Sequence, residues 1–145
     1  MFGSFLHTEN SVTGLIARIS LGIVILPHGL QKLLGLFGGL GFTATMDSFV
    51  NSGLPSAVAI LIIVGESFGA LGLILGFFSR LAALGIVLIM TGALLMVHIQ
   101  NGFFMNWFNN KPGEGFEYHL LAIGLGLIVL VKGGGMWSLD RKIVS

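Results

Sequence analysis

Along the chain, long apolar blocks alternate with short polar joints. Four blocks stand out, at Val12–Leu34, 55–78, 81–100 and 120–131. About 20 apolar residues in a helix cross the hydrocarbon core of a bilayer, so the first three blocks are long enough. The fourth alone reaches roughly 18 Å at 1.5 Å per residue. Extended over 116–137 it reaches roughly 33 Å and spans, with Lys132 snorkelling toward the headgroups. The pattern predicts an all-α, integral membrane four-helix bundle in a single domain covering 1–145. Its spans fall at about 12–34, 55–78, 81–100 and 116–137.

The joints refine this picture. Pro55 suits the first turn of the second helix. Ser79-Arg80 joins the second and third helices so tightly that they must be antiparallel neighbours. The first joint, 35–54, opens on Gly35, Gly38, Gly39 and Gly41 and then sets Phe42, Met46, Phe49 and Val50 at helical spacing. That spacing predicts a short amphipathic helix lying at the membrane surface. The third joint carries Phe103, Phe104, Trp107 and Phe108, an interfacial aromatic cluster, followed by a polar turn over 109–115.

Composition supports lipid as the solvent. Only 9% of residues are charged, against about 25% in soluble domains. The net charge of +1 leaves no electrostatic footprint for nucleic acid. The absence of cysteine excludes disulfides, thiolate metal sites and any thiol relay carried by this chain. Residues 1–11 hold no Lys or Arg, which argues against a cleaved secretory signal. The 23 glycines fit helices that approach closely in a membrane. Gly65/Gly69 and Gly72/Gly76 are two small-xxx-small patterns of that kind. Four spans place Arg80, Lys132, Arg141 and Lys142 on the side of both termini, with Lys32 and Lys111 opposite. The positive-inside rule then predicts cytoplasmic termini in the inner membrane of the cell.

Ionisable groups inside spans are costly and mark pairs or functional sites. Counting helical rise, His28, Gln31, Lys32, His98, Asn101, Glu117 and His119 fall in one outer layer. Glu66 lies beneath them, and Arg18 deeper still. Arg18, His28 and Lys32 share an arc of roughly 80° on the first helix, with Gly14, Gly22, Ile25 and Gly29 on or near it. That face should point into the bundle. Glu117 and His119 point to nearly opposite sides, so at most one faces the centre.

Structural accounts exist for each group. Arg18 and Glu66 can form a purely structural ion pair, about 8 Å of rise apart. Lys32, Glu117 and His119 can sit in the wet headgroup layer. The convergence of these groups from several helices is the functional signal. It predicts a polar pocket near the outer leaflet, with His28, Glu66 and His98 as acid–base groups and Lys32, Gln31, Asn101 and Glu117 binding substrate. No metal site is expected. Gly133-Gly134-Gly135 follows no strand and has no nucleotide role.

An ordered set of short motifs resembles the DoxX family of small four-helix membrane proteins. It runs through Arg18 with Leu21-Gly22, His28-Gly29-Leu30-Gln31-Lys32 and Gly38-Gly39. Glu66 with Gly69, Gly72 and Gly76 precedes Ser79-Arg80. His98, Asn101-Gly102-Phe103-Phe104 and Gly115-Phe116-Glu117-Tyr118 come next, and the set ends in Gly133-Gly134-Gly135 and Ser138-Leu139-Asp140. The resemblance implies membrane redox chemistry. Relatives of this kind include a subunit of thiosulfate:quinone oxidoreductase and partners of membrane-associated thiol and superoxide defence systems. It supplies no set of catalytic residues.

Four functions compete. A quinone-linked redox subunit would use histidine to hydrogen-bond a quinone carbonyl and carry protons. It would take electrons through another membrane or redox protein, or through a bound cofactor, since the chain has no thiol and no flavin fingerprint. A haem b protein would use two of His28, His98 and His119 as axial ligands. A non-enzymatic scaffold or anchor would use its glycine faces inside a larger complex or a homo-oligomer. A small-solute or proton pathway would hold water in its core.

Overall fold

A computed structural model describes residues 6–144. Among these residues the chain is helical, with no strand. Helix α1 spans Val12–Leu34, α2 Gly41–Asn51, α3 Ser56–Leu75, α4 Ser79–Asn101, α5 Glu117–Lys132 and α6 Leu139–Val144. The helices α1, α3 and α4 are long and apolar enough to cross a membrane. Helix α5 has 16 residues and packs along α1 and α4 as the fourth member. The short α2 matches the amphipathic segment expected between the first two spans.

The fourth long helix, α5, is shorter than the 116–137 expected for a fourth span. Lys132 ends the helix because Gly133 adopts φ 76°. The chain then folds back at the end of the bundle that carries both termini, here the terminal end. The opposite end, with the α1–α2 and α4–α5 loops, is the distal end.

The core is built from small and branched residues at helical spacing. Ala17, Leu21 and Ile25 of α1 meet Ala70 and Leu73 of α3, Ala83, Ile86 and Met90 of α4, and Ala122 and Val129 of α5. The outward faces are equally apolar, with Leu121 72% and Leu88 64% exposed. Water would penalise such a surface, and hydrocarbon does not.

Glycine sets the closest crossing. A Cβ at Gly29 would lie 2.4 Å from the backbone of Glu66, and one at Gly22 would meet the carbonyl of Ala70 at 2.9 Å. The two glycines are seven residues apart, so one stripe of α1 rests directly on α3. At the start of α1, Ser11 Oγ accepts from the amide of Gly14. At its end Gly35 takes φ 71° and its N–H donates to Leu30.

The terminal end is held by two charges. Arg18 donates from Nε to Gly134 at 2.6 Å, from Nη1 to Leu73 and Ile74 at 3.0 and 2.5 Å, and from Nη2 to Met136 at 3.1 Å. These are carbonyls of the last turn of α3 and of the fold-back segment, where a cation is favoured. Asp140 accepts from the amides of Phe78 and Ser79 at 2.7 and 2.8 Å, which caps the start of α4. The tight α3–α4 turn is thus clamped from both sides. The expected Arg18–Glu66 ion pair is not formed. Arg18 reaches along α1 toward the terminal end, and Glu66 finds a different partner.

Candidate functional site

The distal end gathers the polar residues of four helices, α1, α3, α4 and α5. Helix α3 carries a π-turn over Gly65–Gly69 and α4 another over Leu94–His98. Each widens the helix by one residue and re-aims side chains, a feature common at functional sites. The first holds Glu66, the second His98.

Glu66 is buried, 4% exposed, and its carboxylate lies 2.5 Å from Lys32 Nζ. The Gly29 crossing explains the contact. It brings the backbone of Glu66 against α1 one turn before Lys32, so the ammonium reaches the carboxylate without extending into lipid. Lys32 also donates to the carbonyl of His28 at 3.4 Å. In a water-poor environment such a pair attracts strongly, which offsets the cost of desolvating both charges.

Four rings extend from this pair across the bundle. His28 and Tyr118 have ring centroids 6.1 Å apart, Tyr118 and His119 5.3 Å, and His119 and His98 4.2 Å. These steps keep His28 and His98 within two helix diameters, each about 10 Å. His28 itself is exposed, while His119 is 5% exposed. His98 Nδ1 lies 2.9 Å from the carbonyl of Glu114. A carbonyl only accepts, so Nδ1 carries the proton and Nε2 of the neutral ring is an acceptor.

The remaining candidates build the rim. Gln31 Nε2 donates to Phe37 at 3.2 Å and secures the α1–α2 loop. Asn101 Nδ2 donates to the same Glu114 carbonyl at 3.1 Å. Glu117 accepts from the amide of Met105 at 2.9 Å and from Trp107 Nε1 at 3.4 Å. These bonds hold the 102–116 loop and leave Glu117 outside the ring cluster. The sequence reading set Glu117 among the substrate-binding groups and left His119 out of that set, whereas His119 is the residue of this turn that joins the ring cluster. The signal was present: His119, Ala122, Gly126 and Val129 are the buried residues of α5. The small Ala122 and Gly126 mark its inward stripe, and His119 begins it.

Haem does not fit the His98–His119 pair. Two imidazoles on opposite sides of one iron need centroids about 6 Å apart, given metal–nitrogen bonds of about 2 Å. At 4.2 Å the rings contact each other directly. Among the described residues no three His, Asp or Glu side chains form a metal-ligand set.

Comparison with known proteins adds the following. The DoxX family profile matches residues 13–99. The chain is 26% identical over 131 residues to "Inner membrane protein YphA" of Escherichia coli, covering 88% of each chain. It is 29% identical over 113 residues to "Putative oxidoreductase CatD" of Bacillus subtilis, covering 78% of this chain and 75% of that one. It is 31% identical over 150 residues to "Uncharacterized membrane protein Rv3486" of Mycobacterium tuberculosis, covering 95% of this chain and 85% of that one. No solved structure matches.

Proposed function

We propose that this chain, which belongs to the DoxX family, is the membrane-embedded, quinone-handling subunit of a redox system. The observation that carries the reading is the buried Lys32–Glu66 pair opening onto a histidine-rich cluster. A scaffold has no need of titratable imidazoles beside an ion pair in hydrocarbon, where each polar group is costly. The name of the Bacillus subtilis relative, "Putative oxidoreductase CatD", is consistent with it.

Interconversion of quinone and quinol moves two electrons and two protons. The apolar helices accommodate a prenyl tail, and the headgroup sits at the distal end. His28 contacts the ring, and His98 Nε2 accepts from a quinol hydroxyl. The Lys32 ammonium stabilises a developing quinol anion, and Glu66 exchanges protons with it. The electrons pass to or from a partner redox protein, because a chain without cysteine offers no thiol couple.

The test is quinone binding and reduction by the wild type, His28→Ala and His98→Ala, with the native partner supplied. Weaker binding or slower reduction in both variants is expected. Equal binding by all three proteins, or binding by none, rejects the site and leaves the scaffold role.

A further inference from the structure

Most polar atoms of the distal cluster are already engaged. The Lys32 ammonium serves Glu66 and the His28 carbonyl. The His98 Nδ1 proton and the Asn101 amide serve the Glu114 carbonyl, and the Gln31 amide serves Phe37. A quinone carbonyl accepts hydrogen bonds and cannot donate them, so it is held by donors of the protein.

Two groups remain. Tyr118 Oη and His119 Nδ1 are buried and have no hydrogen-bond partner. They stand side by side on the first turn of α5, about 100° apart around its axis. Tyr118 turns toward His28 of α1 and His119 toward His98 of α4. The two polar atoms therefore flank α5 on both seams of the ring cluster. Buried polar atoms are nearly always satisfied, and a pair left open at one level of a membrane bundle requires a third body.

We infer that Tyr118 and His119 are the donors reserved for the carbonyl oxygens of a conjugated dicarbonyl ring, with His98 as a positioning residue that packs on His119. This rests on the quinone reading above. The unfolding midpoint without ligand separates this role from a purely structural one.

The experiment uses the full chain in phospholipid nanodiscs with decylubiquinone as the probe. Affinity is read from quenching of tryptophan fluorescence, hydrogen bonding from the infrared carbonyl stretch of the bound quinone, and stability from thermal unfolding without ligand. Tyr118→Phe and His119→Phe are expected to weaken binding at least tenfold. The carbonyl band should shift back toward its free position, and the unfolding midpoint should stay level or rise. Wild-type affinity in both variants overturns the inference and leaves the quinone reading standing. Weaker binding with a clearly lowered midpoint overturns it as well, because the groups would then be structural. No binding by the wild type rejects both.

Discussion

Lys32 and Glu66 form the energetic centre of the site, and their balance is testable. The Glu66 side chain is 6% exposed and that of Lys32 23%. Removing one partner leaves an uncompensated buried charge, and such losses run to about 3–5 kcal/mol. Partial exposure of Lys32 places Lys32→Met near the lower figure, about 3 kcal/mol. The double variant Lys32→Met with Glu66→Gln should be milder than Lys32→Met alone, and a double-mutant cycle in detergent measures the coupling. Arg18→Met and Glu66→Gln should instead be additive, because the two side chains share no partner. The sequence predicted that Arg18 and Glu66 pair, and the reason for the miss is geometric. Helical rise gives depth, but it does not give the direction in which a long side chain runs. Arg18 has unsatisfied carbonyls at the end of α3 within reach, and no residue pattern announces those. Depth was not resolved finely either: the fold sets the Glu66 backbone against Gly29, next to His28 along α1, where the rise count placed it beneath the histidines.

At the scale of elements, the Gly29 crossing controls whether the site exists. A methyl group at this position would overlap the Glu66 backbone at 2.4 Å, and backbone cannot yield as a side chain does. Gly29→Ala should therefore separate α1 from α3, break the Lys32–Glu66 pair and lower the unfolding midpoint. A loss of about 2 kcal/mol or more is expected, comparable to overpacking a core. Gly85 of α4 has nothing within 4 Å of an added Cβ, so Gly85→Ala should hold the midpoint level or raise it and serves as the control. The α4 cap gives a second element-scale prediction. Asp140→Ala removes the acceptor for two buried amides and should cost about 2 kcal/mol, seen as a lower unfolding midpoint. The helices were readable from their apolar blocks, and the face of α1 from its glycines. The π-turns were not, because the glycines of Gly65–Gly69 read equally well as packing positions and Leu94–His98 holds no glycine or proline to mark a departure. They arise from packing between helices, which a single segment does not encode.

At the scale of the whole molecule, the two ends of the bundle differ in charge, and this predicts orientation. Arg80 donates to the carbonyls of Leu130, Val131 and His7, and Lys132 pairs with Glu9 at 3.0 Å. Arg141 bonds Asn10 on the same end. The terminal end thus collects Arg80, Lys132 and Arg141. Among the described residues the distal end holds Lys32, paired with Glu66, and the exposed Lys111. The insertion machinery retains Lys and Arg on the cytoplasmic side. The terminal end should therefore face the cytoplasm, and the distal cluster the outer leaflet. The chain has no cysteine, so single cysteines can be introduced without background. Val144→Cys reports the terminal end and Asn109→Cys the distal loop. In intact cells an impermeant thiol reagent should label Asn109→Cys and spare Val144→Cys until the membrane is opened. The reverse pattern would place the ring cluster on the cytoplasmic side, where a quinol would exchange its protons with the opposite compartment. Labelling of both positions in sealed cells would mean an odd number of crossings, and α5, with 16 residues, is the helix that would then fail to span.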